Sequence, residues 1–278
     1  MSNSESQAVL GALAVAQAER PDLVELLAFY QELFALQLAA KAQLPARAKP
    51  EPHLVQGRAE AGLPQLTFQD LGLEAASFGT LAARVRDVLA RHNVGDEPPG
   101  SGGPDSDLVR RARHLFENWS MLTAPDEGDL GAADDLASDP LWDQAIALAL
   151  VPYLQHAADA VLPMLERVHW GRPVCPVCGG QPNLALLEEE RGGRRLVCSR
   201  CDAVWVFTRV GCPYCRSQEK QTYFLGQGGL YRLYVCPSCR RYLKTVDLRE
   251  AGRPVVPAVE RLLSVYMDLS ARHEGYLG

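Results

Sequence analysis

A chain of 278 residues with 47% hydrophobic residues can bury one large core or two modest ones. Its net charge of −6 is unevenly spread: residues 1–170 carry 12 Lys and Arg against 24 Asp and Glu, residues 171–249 carry 13 against 6, and residues 250–278 carry 3 against 4. The start, Met1-Ser-Asn-Ser-Glu-Ser, has no basic secretion-signal region, and the most apolar run, 145–154, is broken by Pro152 and ends beside Gln155 and His156, so the expectation is a cytoplasmic protein with no membrane insertion.

The first 170 residues read as helices. Residues 6–20 are rich in Ala and Leu. Pro21 then occupies a first helical position, with Asp22 and Glu25 at the positive end, and Leu23, Leu26, Leu27, Tyr30, Leu33 and Phe34 keep the rhythm of one buried face. That helix stops by Pro45, and 45–52 reads as an extended connector. A helix over 74–93 places Leu81, Val85, Val88 and Leu89 on one side and Arg84, Arg86, Asp87 and Arg91 on the other. Residues 94–104 are too rich in Gly and Pro to pack and read as a flexible loop within one helical domain. Helical periodicity resumes over 105–122, with Ser106 as N-cap, Leu108, Ala112, Leu115 and Trp119 inward, and Arg110, Arg111 and Arg113 mostly outward. A short helical turn over 134–138 precedes the most apolar pattern in the chain, 140–168, which Pro152 and Pro163 should kink or divide. An amphipathic helix over 257–273, with Val259, Leu262, Leu263, Tyr266 and Leu269 on its apolar side, closes the chain and packs back on the body.

All 8 cysteines lie in the remaining stretch, as the pairs Cys175/Cys178, Cys198/Cys201, Cys212/Cys215 and Cys236/Cys239. Each pair encloses two residues, 19 residues separate Cys178 from Cys198, and 20 separate Cys215 from Cys236. This is the spacing of two four-thiolate metal sites. Four thiolates around a divalent ion leave a site at −2, so two such sites cut the local balance of +7 to about +3, and the arginines partly neutralise their own centres. Each unit repeats a knuckle, a hairpin and a second knuckle: strands over 183–187 and 194–197 followed by 204–207, then strands over 221–225 and 230–235 followed by 242–246, with turns at 188–193 and 226–229. Joining Cys198/Cys201 to Cys212/Cys215 instead would leave the outer pairs to meet across the whole segment, and repeat symmetry argues against it. Neither ribbon has enough apolar residues for its own core, so metal supplies much of its stability. A tetrahedral sulfur shell suits zinc and iron alike, and as a closed shell it argues against metal-assisted hydrolysis.

Other chemistry is thinly supported. His53, His92, His114, His156, His169 and His273 form no partnered motif; only His169, with Trp170, stands next to the cysteines, where a boundary contact explains it. The acids Asp126, Glu127, Asp129, Asp134 and Asp135 lack the spacing of a cation loop, and no nucleophile carries a local signature, so no enzyme activity is expected. Two rivals remain. A nucleic-acid-binding zinc ribbon could use Arg194, Arg195, Arg200, Arg209, Arg232, Arg240, Arg241 and Lys244 with Tyr214, Tyr223, Tyr231 and Tyr234, against which stands the acidic helical region. A dithiol redox protein is the other.

Cys175-Pro-Val-Cys178-Gly179, Cys198/Cys201 followed by Trp205 and Arg209, Cys212/Cys215, and Cys236/Cys239 followed by Tyr242-Leu-Lys-Thr245 resemble the formate dehydrogenase accessory protein family, the FdhE type. Glu274-Gly-Tyr276 agrees with it, whereas the first 165 residues show only a compatible helical layout. The resemblance implies a cytoplasmic maturation factor rather than a dehydrogenase, with the catalytic subunit of a respiratory formate dehydrogenase as partner. It also implies rubredoxin-like iron, with zinc as alternative, in two metal sites whose ligands are all eight cysteines. Arg240 departs from the pattern, standing where the family favours Gly, which puts the fourth knuckle's bonding in question. Self-association into a homodimer stays open. The expected fold is α+β: a mostly α-helical domain over 1–168, two tandem rubredoxin-like or zinc-ribbon modules of four cysteines each over 169–209 and 210–249, and a C-terminal helix over 250–278.

Overall fold

The computed structural model describes residues 3–92, 108–118, 139–166, 168–190, 192–219 and 222–278. Helices α1 (Asn3–Glu19), α2 (Val24–Gln43), α3 (Pro52–Glu60), α4 (Ala75–Arg91), α5 (Leu108–Glu117) and α6 (Pro140–Leu165) come first. Strands β1 (Pro182–Leu187), β2 (Arg194–Cys198), β3 (Val204–Phe207), β4 (Thr222–Leu225), β5 (Tyr231–Val235) and β6 (Tyr242–Asp247) follow, and α7 (Pro257–Leu263) and α8 (Val265–His273) close the chain. The mixed fold class read from the sequence is the one observed. The glycine-rich loop over 94–104, Ser106, Trp119, the acidic cluster and the 134–138 turn lie outside the described residues.

α6 is the axis of the body and packs against α2, α3, α4 and α5. Asp139 caps it by accepting from the Trp142 N–H at 3.0 Å, and Pro140 sits in its first turn. It is one helix of 26 residues that passes through both Pro152 and Pro163, so neither divides it. An interior proline costs about 3 kcal/mol. Here Ala149, Leu150, Tyr153, Leu154 and Ala157 are buried around Pro152, and burial of each large side chain is worth about 2 kcal/mol, enough to hold the element together. α2 and α6 are long and apolar enough to cross a membrane by length and composition. In the fold they face each other, joined by Gln37 donating to the Leu148 carbonyl at 2.8 Å and by Lys41 paired with Asp159 at 2.8 Å.

Three expectations change. The connector over 45–52 runs into α3, whose only buried side chains are Val55 and Ala59, too sparse a stripe to register as a period. Arg111 is buried rather than outward, because Asp143 of α6 accepts from it at 2.7 Å. The closing helix is two helices broken at Ser264, whose hydroxyl donates to the Glu260 carbonyl at 2.7 Å, and this turns Leu269 out to solvent.

The six strands form one sheet in the order β3-β2-β1-β6-β5-β4. Each cysteine unit supplies three antiparallel strands, and the units fuse where β1 and β6 pair in parallel, Leu184 opposite Lys244 through Leu187 opposite Asp247. Alternation along the strands sorts the two faces. Ala185, Leu196, Trp205 and Leu243 join the core of the helical body, whereas Leu184, Leu186, Val197, Leu233 and Val246 pack with Leu13, Leu27, Val259, Leu262 and Met267 beneath α1, α2, α7 and α8. The sheet is therefore a middle layer between helices, with a knuckle-bearing end at each cysteine cluster.

Candidate metal centres

Each C-x2-C pair sits on a knuckle of one design. The N–H of the first cysteine donates to a carbonyl past the second: Cys175 to Gly180 at 2.8 Å, Cys198 to Ala203 at 2.9 Å, Cys212 to Ser217 at 2.9 Å and Cys236 to Arg241 at 2.9 Å. The residue after the second cysteine takes positive φ in all four, as Gly179 (74°), Asp202 (58°), Arg216 (61°) and Arg240 (55°). Only the first is a glycine, so the other three carry a left-handed penalty of about 1 kcal/mol each. This turn aims backbone N–H groups at sulfur: Val177 to Cys175, Arg200 to Cys198 and Tyr214 to Cys212, each at 3.4 Å.

Arg240 keeps the fourth knuckle intact. Its N–H donates to the Cys236 carbonyl at 3.0 Å, as Arg216 does to Cys212 at 3.1 Å. Its guanidinium also donates to the Glu274 carbonyl at 2.8 Å and lies 4.5 Å from the centre of the Tyr276 ring, which secures the chain end against the knuckle.

The eight sulfurs gather into two sets, Cys175, Cys178, Cys198 and Cys201, and Cys212, Cys215, Cys236 and Cys239, with all ligand atoms of a set within 4.8 Å of one another. These are the sets that repeat symmetry favoured, and the alternative that joins Cys198/Cys201 to Cys212/Cys215 does not occur. Sulfurs approach at 3.6 Å (Cys175 to Cys201), 3.5 Å (Cys178 to Cys198) and 3.5 Å (Cys178 to Cys201) in the first set. In the second they approach at 3.7 Å (Cys212 to Cys239) and 3.6 Å (Cys215 to Cys236). Four sulfurs bound tetrahedrally at about 2.3 Å lie about 3.8 Å apart, whereas a disulfide needs about 2.05 Å. Each set fits, and could hold, one metal ion.

Proton affinities are split within each set, one thiol lowered while burial raises others. Side-chain hydrogen bonds with Cys175, Cys198 and Cys201, helped by the nearby charge of Arg200, hold Cys178 well below the ordinary thiol range, while burial pushes Cys175 and Cys201 up. At Cys236, burial acts upward but is outweighed by the Cys239 and Ser238 N–H groups and the Cys215 thiol, which bring it down to about 7. A metal entering either set displaces the remaining thiol protons.

The surroundings of the two sets differ. All four thiols of the first are buried in the core shared with α4 and α6. The Gln65 and Leu66 N–H groups donate to the carbonyls of Pro176 and Val177 at 3.0 and 2.9 Å, and Trp205 Nε1 donates to the Arg172 carbonyl at 3.0 Å. Arg261 of α7 reaches the Cys198 carbonyl at 2.7 Å and pairs with Asp202, whose carboxylate also accepts from Gln155 at 2.7 Å. No signal in the sequence links Gln155, Asp202 and Arg261, since they meet only through folding. In the second set Cys215 is exposed and Cys239 half-buried. Ser238 bridges its knuckles by contacts of 2.9 Å to Ser217 and 2.7 Å to Glu219.

No family model matches the chain. One stretch of 145 residues is 33% identical to a protein of Aquifex aeolicus named "Protein FdhE homolog", covering 49% of this chain and about half (50%) of that protein. Homologues of the same name in Stutzerimonas stutzeri and Shewanella oneidensis are 29% and 26% identical, covering 88% and 90% of this chain and 87% and 80% of theirs. The crystal structure of the FdhE protein from Pseudomonas aeruginosa has the same fold, with a TM-score of 0.61 at 22% identity over 98% of this chain and 92% of that one. The chain is similar to FdhE proteins in sequence and in fold.

Several of the basic and aromatic residues read as an RNA surface are engaged within the fold. Arg194 is buried and donates to the Thr208 and Gly211 carbonyls at 2.8 and 2.7 Å. Lys244 pairs with Asp268 at 2.6 Å, Arg232 pairs with Asp247, and Arg241 lies 4.0 Å from the centre of the Tyr214 ring. Trp170 is buried and bonds the Val174 carbonyl at 2.7 Å, while its neighbour His169 is exposed and stands outside both cysteine sets.

Proposed function

We propose that this chain is a cytoplasmic accessory protein for formate dehydrogenase biogenesis, which binds the immature catalytic subunit and carries one metal ion on each cysteine set. The observation that carries the reading is the pair of four-sulfur clusters, built on matching knuckles, within a fold shared with FdhE proteins. All eight cysteines are the proposed ligands. Iron is the metal that the family resemblance favours and zinc the alternative. A bound ion would supply the cross-link that the small knuckles cannot supply themselves, and Arg200 and Arg261 offset the charge of the first centre. Four sulfurs complete a tetrahedral shell, so substrate has no coordination position and the role is one of holding rather than turnover.

Metal analysis of anaerobically purified protein should give two equivalents, and ferric thiolate would absorb in the visible where zinc would not. Immobilised chain should retain the cofactor-free catalytic subunit of a formate dehydrogenase. Metal-free protein with four disulfides, or failure to retain the subunit, would refute the corresponding half of the reading.

A further inference from the structure

The two cysteine units are built alike, and the sheet shows what one has and the other lacks. β1 and β4 are the same strand of the repeat. Leu184 faces Val197 as Thr222 faces Val235, each partner one residue before a knuckle cysteine. The registers then run in step: Ala185 with Leu196 as Tyr223 with Tyr234, Leu186 with Arg195 as Phe224 with Leu233, and Leu187 with Arg194 as Leu225 with Arg232.

On its outer edge β1 receives β6 in parallel. The corresponding edge of β4 is the end of the sheet, and among the described residues β4 pairs with β5 alone. Burial measures the difference. Ala185, Leu186 and Leu187 are 0%, 9% and 4% exposed, whereas Tyr223, Phe224 and Leu225 are 44%, 55% and 63% exposed. A solvated edge is ordinarily blunted by lysine, proline or a bulge, because unpaired backbone groups beside apolar side chains recruit other strands. β4, Thr-Tyr-Phe-Leu, carries no lysine or proline.

We propose that the open edge of β4 is a docking strand that takes an extended apolar segment of the immature catalytic subunit in parallel, as β1 takes β6 within the chain. This rests on the reading that the chain binds that subunit, and it names the surface and the form of the bound segment. Strand addition draws affinity from main-chain hydrogen bonds, so it suits a client that is not yet folded. Tyr223, Phe224 and Leu225 alternate across the two faces and select apolar side chains on both. A second copy of this chain is the weaker occupant. Among the described residues the other free edge of the sheet is β3, the repeat equivalent of β6, and β3 of one copy on β4 of the next makes a head-to-tail contact that does not close on itself.

The test uses the full chain, the cofactor-free catalytic subunit and synthetic peptides tiling that subunit. Phe224→Lys should weaken subunit binding by roughly tenfold or more, with the circular dichroism spectrum and metal content unchanged, because Phe224 is exposed. Leu269→Lys, a charge on another exposed apolar site of α8, should bind as wild type. A peptide that binds should lose affinity when its backbone amides are N-methylated along one edge and keep it when they are methylated along the other. Equal binding by Phe224→Lys and wild type, or indifference to N-methylation on both edges, would overturn the docking strand while leaving subunit binding in place. Loss of binding in Leu269→Lys but not in Phe224→Lys would overturn it as well. Concentration-dependent assembly of wild type that Phe224→Lys abolishes, without effect on subunit binding, would assign the edge to copies of the chain instead. If wild type does not bind the subunit at all, the proposed function falls together with this inference.

Discussion

The two cysteine clusters share a backbone plan and differ in what surrounds them. The first is part of the protein's main core: its sulfurs touch the layer that also contains Phe78, Ile146 and Leu150, and its knuckles are bonded to the 64–66 segment, α6 and α7. The second stands at the far end of the sheet, with Cys215 open to solvent and its knuckles secured by Ser238, Arg240 and the chain terminus. The same four-cysteine arrangement is thus enclosed by the core in one place and open to solvent in the other. Burial, not ligand identity, makes the difference.

The sharpest way to break this comparison is to remove one ligand from each cluster. Cys178→Ser should cost about 5 kcal/mol or more and abolish a cooperative thermal transition, because the loss falls inside the core that joins helices to sheet. Cys215→Ser should lose one of the two metal equivalents yet keep near-native circular dichroism; collapse of both variants alike would show that the clusters are equivalent. In the unmodified protein, alkylation followed by mass spectrometry should label Cys215 first, with the Cys175 set slower by roughly tenfold or more.

A smaller effect tests the seam between the units. Asp247 ends β6 opposite Leu187, is fully buried, and accepts from Arg249 at 2.6 and 2.7 Å and from Arg232. The hydrogen bonds from Arg249, with the charge of Arg232, hold its carboxyl below the ordinary value of 3.8. A carboxylate with a depressed value contributes stability above 3.8 and loses it as the pH falls through the lower folded value. Asp247→Asn should therefore cost about 2 kcal/mol near neutrality, and its deficit in melting temperature should narrow as the pH is lowered below 3.8. A constant deficit across that range would show that the carboxylate charge is not what stabilises the seam. The smallest change is expected from Arg240→Gly, which relieves the left-handed strain but gives up the bonds to the Glu274 and Gly275 carbonyls. The two nearly cancel, so the unfolding free energy from denaturant curves should move by less than about 1 kcal/mol.

Much of the second half of the chain was legible beforehand, because its signals are local. Cysteine spacing separates the two four-cysteine sets, and alternation with Gly-bearing turns marks six strands to within a residue or two. The helices followed where an apolar stripe was long, as in α2, α4 and α6. α3 carries no periodic signal because it buries only Val55 and Ala59, and the burial of Arg111 is not encoded locally because its partner Asp143 lies on another helix.

The sequence by itself determined that the chain has a helical body, two four-cysteine units of knuckle and hairpin, and the residues that close each unit. Those features depend on interactions between residues close in the chain. Only the tertiary structure decided that the units fuse through β1 and β6 into one sheet, that one cluster lies in the core and the other at the surface, and that β4 pairs with β5 alone among the described residues. These depend on which apolar face each element buries against a distant one, and spacing along the chain does not encode that choice.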